Sequence, residues 1–229
     1  MAQKNTALLT GRRVYADGHE TQSEISALRE LFLSVCVNDR LWKRLNCTAC
    51  DLPELVTGRL YTDGRVGASA EIESLQFPSP ERAEVRLSPA ARRRERRRVE
   101  PAAWEKEWIF DLARRFREGM PLHRETFSAH CAFLQRRGEL LYAGEDIGRH
   151  NAVDKAVGFA LLRNIPLSEC VLFTSGRVPS DMAEKAIAAG IPVLASKASP
   201  TAEAVRLAQD AGLTLICRAR EDNFTLFAP

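Results

Sequence analysis

The stretch that decides the fold runs Glu145-Asp146-Ile147-Gly148-Arg149-His150-Asn151-Ala152-Val153-Asp154-Lys155. An apolar run that predicts a strand (140–143) precedes it, and a run that predicts a helix (152–162) follows it. Polar clusters between a strand and a helix are where α/β folds place their ligand sites. The plain alternative is a capped helix start with a surface ion pair, which needs one capping residue rather than a whole run of functional side chains. We therefore predict a ligand site at this junction.

Strands and helices alternate after residue 126. Strands are expected at 127–134, 140–143, 170–174, 191–196 and 213–217, with a short closing strand at 224–227. Helices are expected at 152–162, at 181–189, and from the Ser199-Pro200-Thr201 opening to residue 211. This alternation predicts an α/β fold built on a parallel or mostly parallel sheet with flanking helices.

The first half of the chain predicts a smaller α+β domain. Asn38-Asp39-Arg40 indicates a hairpin, residues 51–58 a short helix, and residues 66–87 two or three strands. Residues 1–22 are polar and are expected to be poorly ordered or edge-like. The expected division is therefore 23–88 for the small domain, 89–101 for a basic interdomain loop, and 102–229 for the larger domain. The larger domain opens with an apolar stripe at helical spacing that ends at Gly119 and is predicted to face the core.

Composition excludes several classes of protein. The 229 residues are 45% hydrophobic and 28% charged, which is typical of a soluble globular chain rather than a disordered one. No apolar run approaches the length of a membrane span or of a signal peptide, so the cytoplasm is the expected location. The net charge of +3 says little, but Arg92-Arg93-Arg94-Glu95-Arg96-Arg97-Arg98 is a local cationic block. Such a block is usually solvated, and it could also contact nucleic acid or an anionic ligand.

The six cysteines do not form an obvious metal or disulfide pattern. Cys47 and Cys50 are spaced as a CxxC, which suits zinc or redox chemistry but lacks a second pair. Cys170 and Cys217 lie in apolar runs and are expected to be buried. Cys131 follows His130 on a predicted strand, so their side chains should point to opposite faces. We expect His130 to face a ligand and Cys131 to face the core, whereas His123 is expected to be solvated.

The loops after successive predicted strands carry cations together with hydroxyl or amide donors. They contain Arg149, His150 and Asn151; Ser175, Gly176, Arg177 and Ser180; Lys197, Ser199 and Thr201; and Arg218, Arg220 and Asn223. Parallel strands would gather these loops at one edge, where three of them also present a helix N-terminus. Such an arrangement suits a phosphate or pyrophosphate. Ordinary helix caps with basic surface residues are the alternative.

Several ligand classes lack their signatures. Neither GxGxxG nor GxxxxGK[ST] occurs, so a standard dinucleotide fold and a P-loop are not supported. The H-x-E and P-C-x-x-C signatures of zinc deaminases are also missing.

Several motifs together resemble the formate dehydrogenase accessory sulfurtransferase family of the FdhD type. The resemblance is dense from about residue 126 onward and thinner before it. It is carried by Glu145 to Lys155, by Ser175-Gly176-Arg177 with Ser180, Met182 and Lys185, by Gly190-Ile191-Pro192-Val193, by Ser199-Pro200-Thr201, by Leu213-Thr214-Leu215, and by Asp51 to Gly58 before Asp63-Gly64.

The resemblance implies a cytidine-deaminase-like domain, a homodimer, and a role in maturing formate dehydrogenase. It implies binding of the molybdopterin guanine dinucleotide cofactor in its molybdenum or tungsten form, with a guanine nucleotide as a mimic. Sulfur would come from a cysteine desulfurase and pass to the cofactor metal for the formate dehydrogenase apoenzyme. The family's cofactor-binding segment falls on Arg218, Ala219, Arg220, Glu221, Asp222 and Asn223. With Asp146 and the loop residues above, the expected cofactor-binding set also contains His130, Arg149, His150, Asn151, Ser175, Gly176, Arg177, Lys197, Ser199 and Thr201.

One departure from the family pattern leaves the sulfurtransferase activity open. The family carries sulfur on a CxxC loop between its domains, but residues 88–101 contain no cysteine. Cys47, Cys50 and Cys131 are weak substitutes, and Ser128-Ala129 replaces the family's glycine pair. Three hypotheses follow: cofactor binding with sulfur transfer, a catalytically silent cofactor carrier or chaperone, and a nucleic-acid-binding module built on the arginine block.

Overall fold

The computed structural model describes residues 5–91 and 98–228. The helices are α1 (Leu52–Thr62), α2 (Lys106–Glu118), α3 (Pro121–Thr126), α4 (Arg149–Leu162), α5 (Ser180–Ala189) and α6 (Ala202–Ala211). The strands are β1 (Thr6–Val14), β2 (Glu20–Leu28), β3 (Leu31–Val37), β4 (Arg40–Cys47), β5 (Ile72–Ser79), β6 (Arg82–Leu87), β7 (His130–Arg136), β8 (Glu139–Asp146), β9 (Cys170–Thr174), β10 (Val193–Ser196), β11 (Thr214–Cys217) and β12 (Thr225–Ala228).

The larger sheet has six strands in the order β12-β11-β10-β9-β7-β8. The predicted α/β class is confirmed, but the expectation of a mostly parallel sheet is wrong. Only β9, β10 and β11 pair in parallel, and the other three pairings are antiparallel. The cause is the β7–β8 hairpin, which turns through Arg137 and Gly138 at positive φ and inserts β7 antiparallel beside β9.

Both faces of this sheet are covered, which is why β9 is buried at every position rather than at alternate positions. Leu172 packs into the core under α4, α5 and α6, whereas Val171 and Phe173 pack into a second core under α2. The α2 stripe faces this second core through Ile109, Leu112 and Phe116, as its helical spacing predicts. Such two-sided burial is typical of strands in α/β sheets.

The smaller sheet has four strands in the order β4-β3-β6-β5. The predicted hairpin at Asn38-Asp39 is confirmed, and both residues have the positive φ that a tight two-residue turn requires. Residues 66–87 form two strands after a 3-10 turn at Ser69–Glu71. Buried residues of both sheets belong to one continuous core.

Helix α1 joins the two parts of the molecule. The predicted end near Gly58 is wrong, because the helix continues to Thr62 and Gly58 lies in its middle. Gly58 faces Gly158 of α4, and the two helix backbones approach so closely that neither position has room for a Cβ atom. The glycine therefore marks a helix crossing rather than a helix end.

The two strands β1 and β2, outside these two sheets, are mostly exposed. The sequence left open a poorly ordered or an edge-like segment before residue 22. The structure corrects the first alternative by placing the antiparallel hairpin of β1 and β2 there. After β6 ends at Leu87, the next helix, α2, begins at Lys106. Residues 92–97 of the arginine block lie outside the described residues. Among the described residues, no helix is long and apolar enough to cross a membrane.

Candidate functional site

One edge of the six-stranded sheet collects most of the predicted loops. The carboxyl ends of β8, β9, β10 and β11 meet the amino end of β7 there, because β7 runs the other way and aligns His130 with Asp146. A cavity of about 350 Å³ opens at this edge. It is lined by Phe116, His123, Phe127, Ser128, Ala129, His130, Ser175, Lys197, Ala198 and Arg220.

Ser175 links the ends of β9 and β7 inside the cavity. The Cys131 amide donates a 3.0 Å hydrogen bond to Ser175 Oγ, and the Ser175 amide donates to the Cys131 carbonyl at 3.0 Å. His130 Nδ1 lies 3.2 Å from the same Ser175 Oγ. Burial and the nearby Arg149 guanidinium lower the pKa of His130, so the imidazole is neutral at pH 7 and adds no charge to the site. As predicted, Cys131 on the other face of β7 is fully buried.

Two cations face the cavity from the loops after β10 and β11. Lys197 Nζ lies 4.5 Å from the centroid of the Phe116 ring, within the range of a cation–π contact. Arg220 Nη1 donates to the Lys197 carbonyl at 2.7 Å and to its neighbour Ala219's carbonyl at 2.9 Å. Neither side chain pairs with a carboxylate in residues 5–91 or 98–228. Both positive charges are therefore free to meet an anion.

The Arg149 side chain packs directly against Gly176, in the loop that follows β9. A Cβ atom at position 176 would lie 2.7 Å from Arg149 Cβ, so only glycine fits beside this side chain. Arg149 is the first residue of α4, and its buried Nε has no hydrogen-bond partner among the described residues. The guanidinium thus lies next to the sheet edge, and no carboxylate of the described residues pairs with it.

No residue of the Glu145–Lys155 stretch, Arg149 included, lines the cavity. Lys155 Nζ lies 2.7 Å from Asp146 Oδ2, and both side chains are fully buried. The Thr48 amide donates to the same carboxylate at 3.1 Å, and Asn151 Nδ2 donates to Asp146 Oδ1 at 2.9 Å and to the Asn46 carbonyl at 2.7 Å. Burial lowers the pKa of Lys155, but the charge and hydrogen bond of Asp146, together with the nearby Cys50 and Cys47, outweigh burial, so that pKa is raised. Asp146 and Asn151 therefore hold the smaller sheet against α4, and neither of them lines the sheet-edge cavity, although Asn151 lines a larger cleft.

The two other acids of the stretch are also used internally. Glu145 accepts hydrogen bonds from the Leu122 and His123 amides, at 2.9 and 2.6 Å, and so caps the start of α3. Asp154 is fully buried between two cations, with Lys185 Nζ at 2.7 Å and Arg59 Nη1 at 3.1 Å. A buried carboxylate of this kind is stable only when paired, which explains the cations on α1 and α5.

His150 lies away from the sheet-edge cavity. Its Nε2 is 3.0 Å from Asp181 Oδ2, and burial lowers its pKa although Asp181 acts in the opposite direction. It lines a larger open cleft of about 1600 Å³ between the β4–α1 region and helices α4 and α5. Most cations of that cleft are paired, as Lys43 and Arg59 are with Asp63.

The remaining predicted residues have local structural contacts or are exposed. Thr201 caps α6 by accepting from the Ala204 amide, and Ser199 accepts from the Val178 amide at 3.2 Å. Arg177 is exposed and has no partner within the described ranges. The final segment contains an exposed Arg218 at positive φ, a buried Ala219, a Glu221 paired with Arg117 at 2.6 Å, and an Asp222 that accepts from Asn223.

Only one of the six cysteines, Cys50, is not buried. Burial raises the pKa of four of the others, Cys47, Cys131, Cys170 and Cys217, to about 12 in each case. Cys50 Sγ lies 3.5 Å from the Lys155 ammonium and 3.3 Å from Thr48 Oγ1. It is therefore the best placed thiol for chemistry, although it does not line the sheet-edge cavity.

Three aromatic residues of the cavity were missed from the sequence. His123 is half-buried and its Nδ1 lies 2.8 Å from the Ala129 carbonyl, so the expectation that it is solvated is wrong. Phe116 was placed in the core stripe, which is correct, but its ring also lines the cavity. Phe127 was placed inside a strand, whereas it ends α3 at a positive φ of 53°. No local pattern distinguishes such a residue from a strand residue.

The protein is thus a mixed α/β protein with a cationic, aromatic-lined cavity at one edge of its larger sheet. The sequence profile described as the FdhD/NarQ family matches residues 88–229. The chain belongs to this family.

Individual relatives agree with this assignment. The sulfur carrier protein FdhD of Sulfolobus acidocaldarius is 30% identical over 233 residues, covering 92% of each chain. The sulfur carrier protein FdhD of Mycolicibacterium paratuberculosis is 37% identical over 180 residues, covering 76% of this chain and 61% of that protein. A crystal structure described as a formate dehydrogenase accessory protein from Desulfotalea psychrophila matches with a TM-score of 0.88 and 25% identity. It covers 99% of this chain and 98% of that one.

Proposed function

We propose that this protein is an accessory factor for formate dehydrogenase maturation that binds the molybdopterin guanine dinucleotide cofactor at the sheet-edge cavity. The observation that carries the proposal is the pair of unpaired cations, Lys197 and Arg220, beside the neutral His130 and Ser175. Hydrogen bonds from cations to phosphate oxygens are among the strongest in proteins, and Arg and Lys are the usual phosphate ligands. The similar structure from Desulfotalea psychrophila, described as a formate dehydrogenase accessory protein, supplies the formate dehydrogenase context.

The residues present fit one nucleotide arm of that cofactor. The cavity of about 350 Å³ is near the small end of ligand pockets, which span about 300–1,000 Å³. Its cations suit a pyrophosphate, and its aromatic wall suits a purine or pterin ring. The bound cofactor would supply the metal that receives sulfur, while Ser175, Lys197 and Arg220 would hold and orient its phosphate groups.

Binding of guanosine diphosphate, measured by calorimetry, tests this proposal. Lys197→Gln removes one of the two free cations without breaking a hydrogen bond made by its side chain, and should weaken binding at least tenfold. Arg206→Gln is the matched control, since Arg206 is exposed on α6 and does not line the cavity. Equal affinities for wild type and Lys197→Gln would contradict the proposed site.

Sulfur delivery is the second part of the proposal and rests on the family. Incubation with a cysteine desulfurase and cysteine, followed by mass spectrometry, would detect a persulfide as the added mass of one sulfur atom. The burial of five cysteines makes Cys50 the expected carrier, so Cys50→Ser should abolish the persulfide and Cys217→Ser should not. A cofactor carrier without sulfur transfer is the alternative, favoured by the high pKa values of the buried thiols and by the absence of cysteine from residues 88–101. It predicts no persulfide and unchanged nucleotide binding.

Nucleic-acid binding through the arginine block has little support. Residues 92–97 lie outside the described residues, and the Nε of Arg98 donates to the Asp210 carbonyl at 3.3 Å. Salt dependence of binding would reveal such an activity, because each phosphate contact steepens the loss of affinity with salt.

A further inference from the structure

Phe127 combines two unfavourable properties in one residue. Its φ of 53° lies in the left-handed region, where a bulky side chain is an outlier. Its ring is 82% exposed, more than any other large hydrophobic side chain among residues 5–91 and 98–228. The Phe127 amide donates to the His123 carbonyl at 2.8 Å to end α3, a position where glycine is usually preferred. The ring therefore adds nothing to the core, and a strained position of this kind favours a functional role.

The ring is the outer end of a row of three rings in the sheet-edge cavity. The His123 ring centroid lies 6.3 Å from that of Phe127 and 5.6 Å from that of Phe116. Lys197 Nζ covers the face of Phe116, and Arg220 lies on the neighbouring loop. The cavity thus presents an exposed aromatic face together with two free cations.

This combination matches the chemistry of a planar heteroaromatic ring that carries phosphate groups. Aromatic side chains stack on such rings with little dependence on ring identity, and cations meet the phosphates. A bound ring would cover the exposed face of Phe127 and so remove apolar surface from water.

We propose that Phe127 is the stacking platform for the heteroaromatic ring of the bound ligand, whose phosphate groups meet Lys197 and Arg220. The proposal rests on the proposed function, since it assigns the ring-binding part of the same cavity. Phe127 becomes the residue that distinguishes a nucleotide or pterin phosphate from a bare phosphate chain.

Calorimetry with two probes, guanosine diphosphate and inorganic pyrophosphate, separates the two halves of the site. Phe127→Gly removes the ring and suits the positive φ, so the variant should fold at least as well as wild type. Its affinity for guanosine diphosphate should fall about tenfold, within the range found when a stacking aromatic is removed, while its pyrophosphate affinity stays unchanged. Phe127→Trp should keep guanosine diphosphate binding. Phe32→Ala is the control, because Phe32 is 65% exposed on the smaller sheet.

The outcomes distinguish the two proposals. If Phe127→Gly binds guanosine diphosphate as tightly as wild type does, stacking is overturned, and the cation site stands as long as wild type binds pyrophosphate. If wild type binds neither probe, the proposed function fails and the stacking role fails with it. If Phe127→Gly changes only the oligomeric state, seen by light scattering, the exposed ring is a protein contact and the proposal is wrong.

Discussion

The crossing of α1 and α4 makes a sharp prediction for Gly58→Ala. Alanine is favoured over glycine in a helix interior by about 1 kcal/mol, so helix propensity alone predicts a more stable protein. The structure predicts the opposite, because a Cβ atom at position 58 would lie 1.8 Å from the Asp154 carbonyl oxygen. The φ of Gly58 is not positive, so backbone strain plays no part and the contact alone decides the sign.

The steric cost exceeds the propensity gain. An ordinary van der Waals contact begins near 3.4 Å. The new methyl group would therefore lie more than 1.5 Å too close to the Asp154 carbonyl oxygen, and the two helix backbones would have to move apart. Overpacking costs about 1–3 kcal/mol, and separation of the helices would also strain the hydrogen bonds that Arg59 and Thr62 donate to Asp154. We expect Gly58→Ala to lose about 2–4 kcal/mol of unfolding free energy after the propensity gain is subtracted.

Urea unfolding followed by circular dichroism measures this loss. Gly158→Ala is the matched twin, since its Cβ would lie 1.8 Å from the Glu54 carbonyl oxygen. Gly11→Ala is the control, since its Cβ would have its nearest neighbour at 4.0 Å. If Gly58→Ala proves as stable as wild type, the helices are not in the close contact described, and the reasoning from it fails.

Three further predictions concern the buried charges, the histidines and the thiols. Lys155→Met should destabilise the protein by about 3–5 kcal/mol, because it leaves the Asp146 charge buried and unpaired. In urea unfolding, adding Asp146→Asn to this variant should recover part of the lost stability. Additive losses from the two substitutions would contradict the pairing. The folded-state pKa values of His130 and His150 are lowered, so the unfolded chain binds more protons than the folded protein below about pH 6.5. The free energy of unfolding should therefore fall as the pH falls through that range. Replacing both histidines by glutamine should flatten this pH dependence of stability, and an unchanged slope would exclude the two histidines as its source. The Cys50 thiol should react with an aromatic disulfide reagent in the native protein, whereas the other five thiols should react only after unfolding. Rapid reaction of a second thiol in the native protein would contradict the burial of these cysteines.

The order of elements could be predicted from the sequence, but the sheet pairing could not. From residue 126 onward, the apolar runs and turn residues place each strand and helix within a few residues, and Asn38-Asp39 predicts its hairpin directly, whereas the β1–β2 hairpin and α3 were not predicted. Alternation of strands and helices does not by itself establish parallel pairing. β7 and β8 follow one another without a helix, and the hairpin they form decides that β7 lies antiparallel to β9. Which strand joins which is a property of the whole core and leaves no local pattern.

The candidate site divides in the same way. The loop cations Lys197 and Arg220 could be predicted, because residues at the ends of same-direction strands meet whatever their exact neighbours are. The role of Asp146 could not be predicted, because a sequence does not show whether a carboxylate binds a ligand or pairs with a buried lysine. The place of Phe127 in the cavity could not be predicted either, since its exposure and its positive φ arise only where α3 ends.

The Glu145–Lys155 stretch therefore positions the candidate site instead of forming it. Asp146 and Lys155 fix α4 to the smaller sheet, and Asp154 fixes the same helix to α1 and α5. With Gly158 pressed against α1, helix α4 has little freedom to slide or tilt. Its first residue, Arg149, then meets Gly176 at the sheet edge in one defined place. A rigid frame of this kind lowers the cost of ordering the cationic loops around a ligand. It follows that substitutions in the buried ion pairs, far from Lys197 and Arg220, should weaken guanosine diphosphate binding even in the molecules that remain folded.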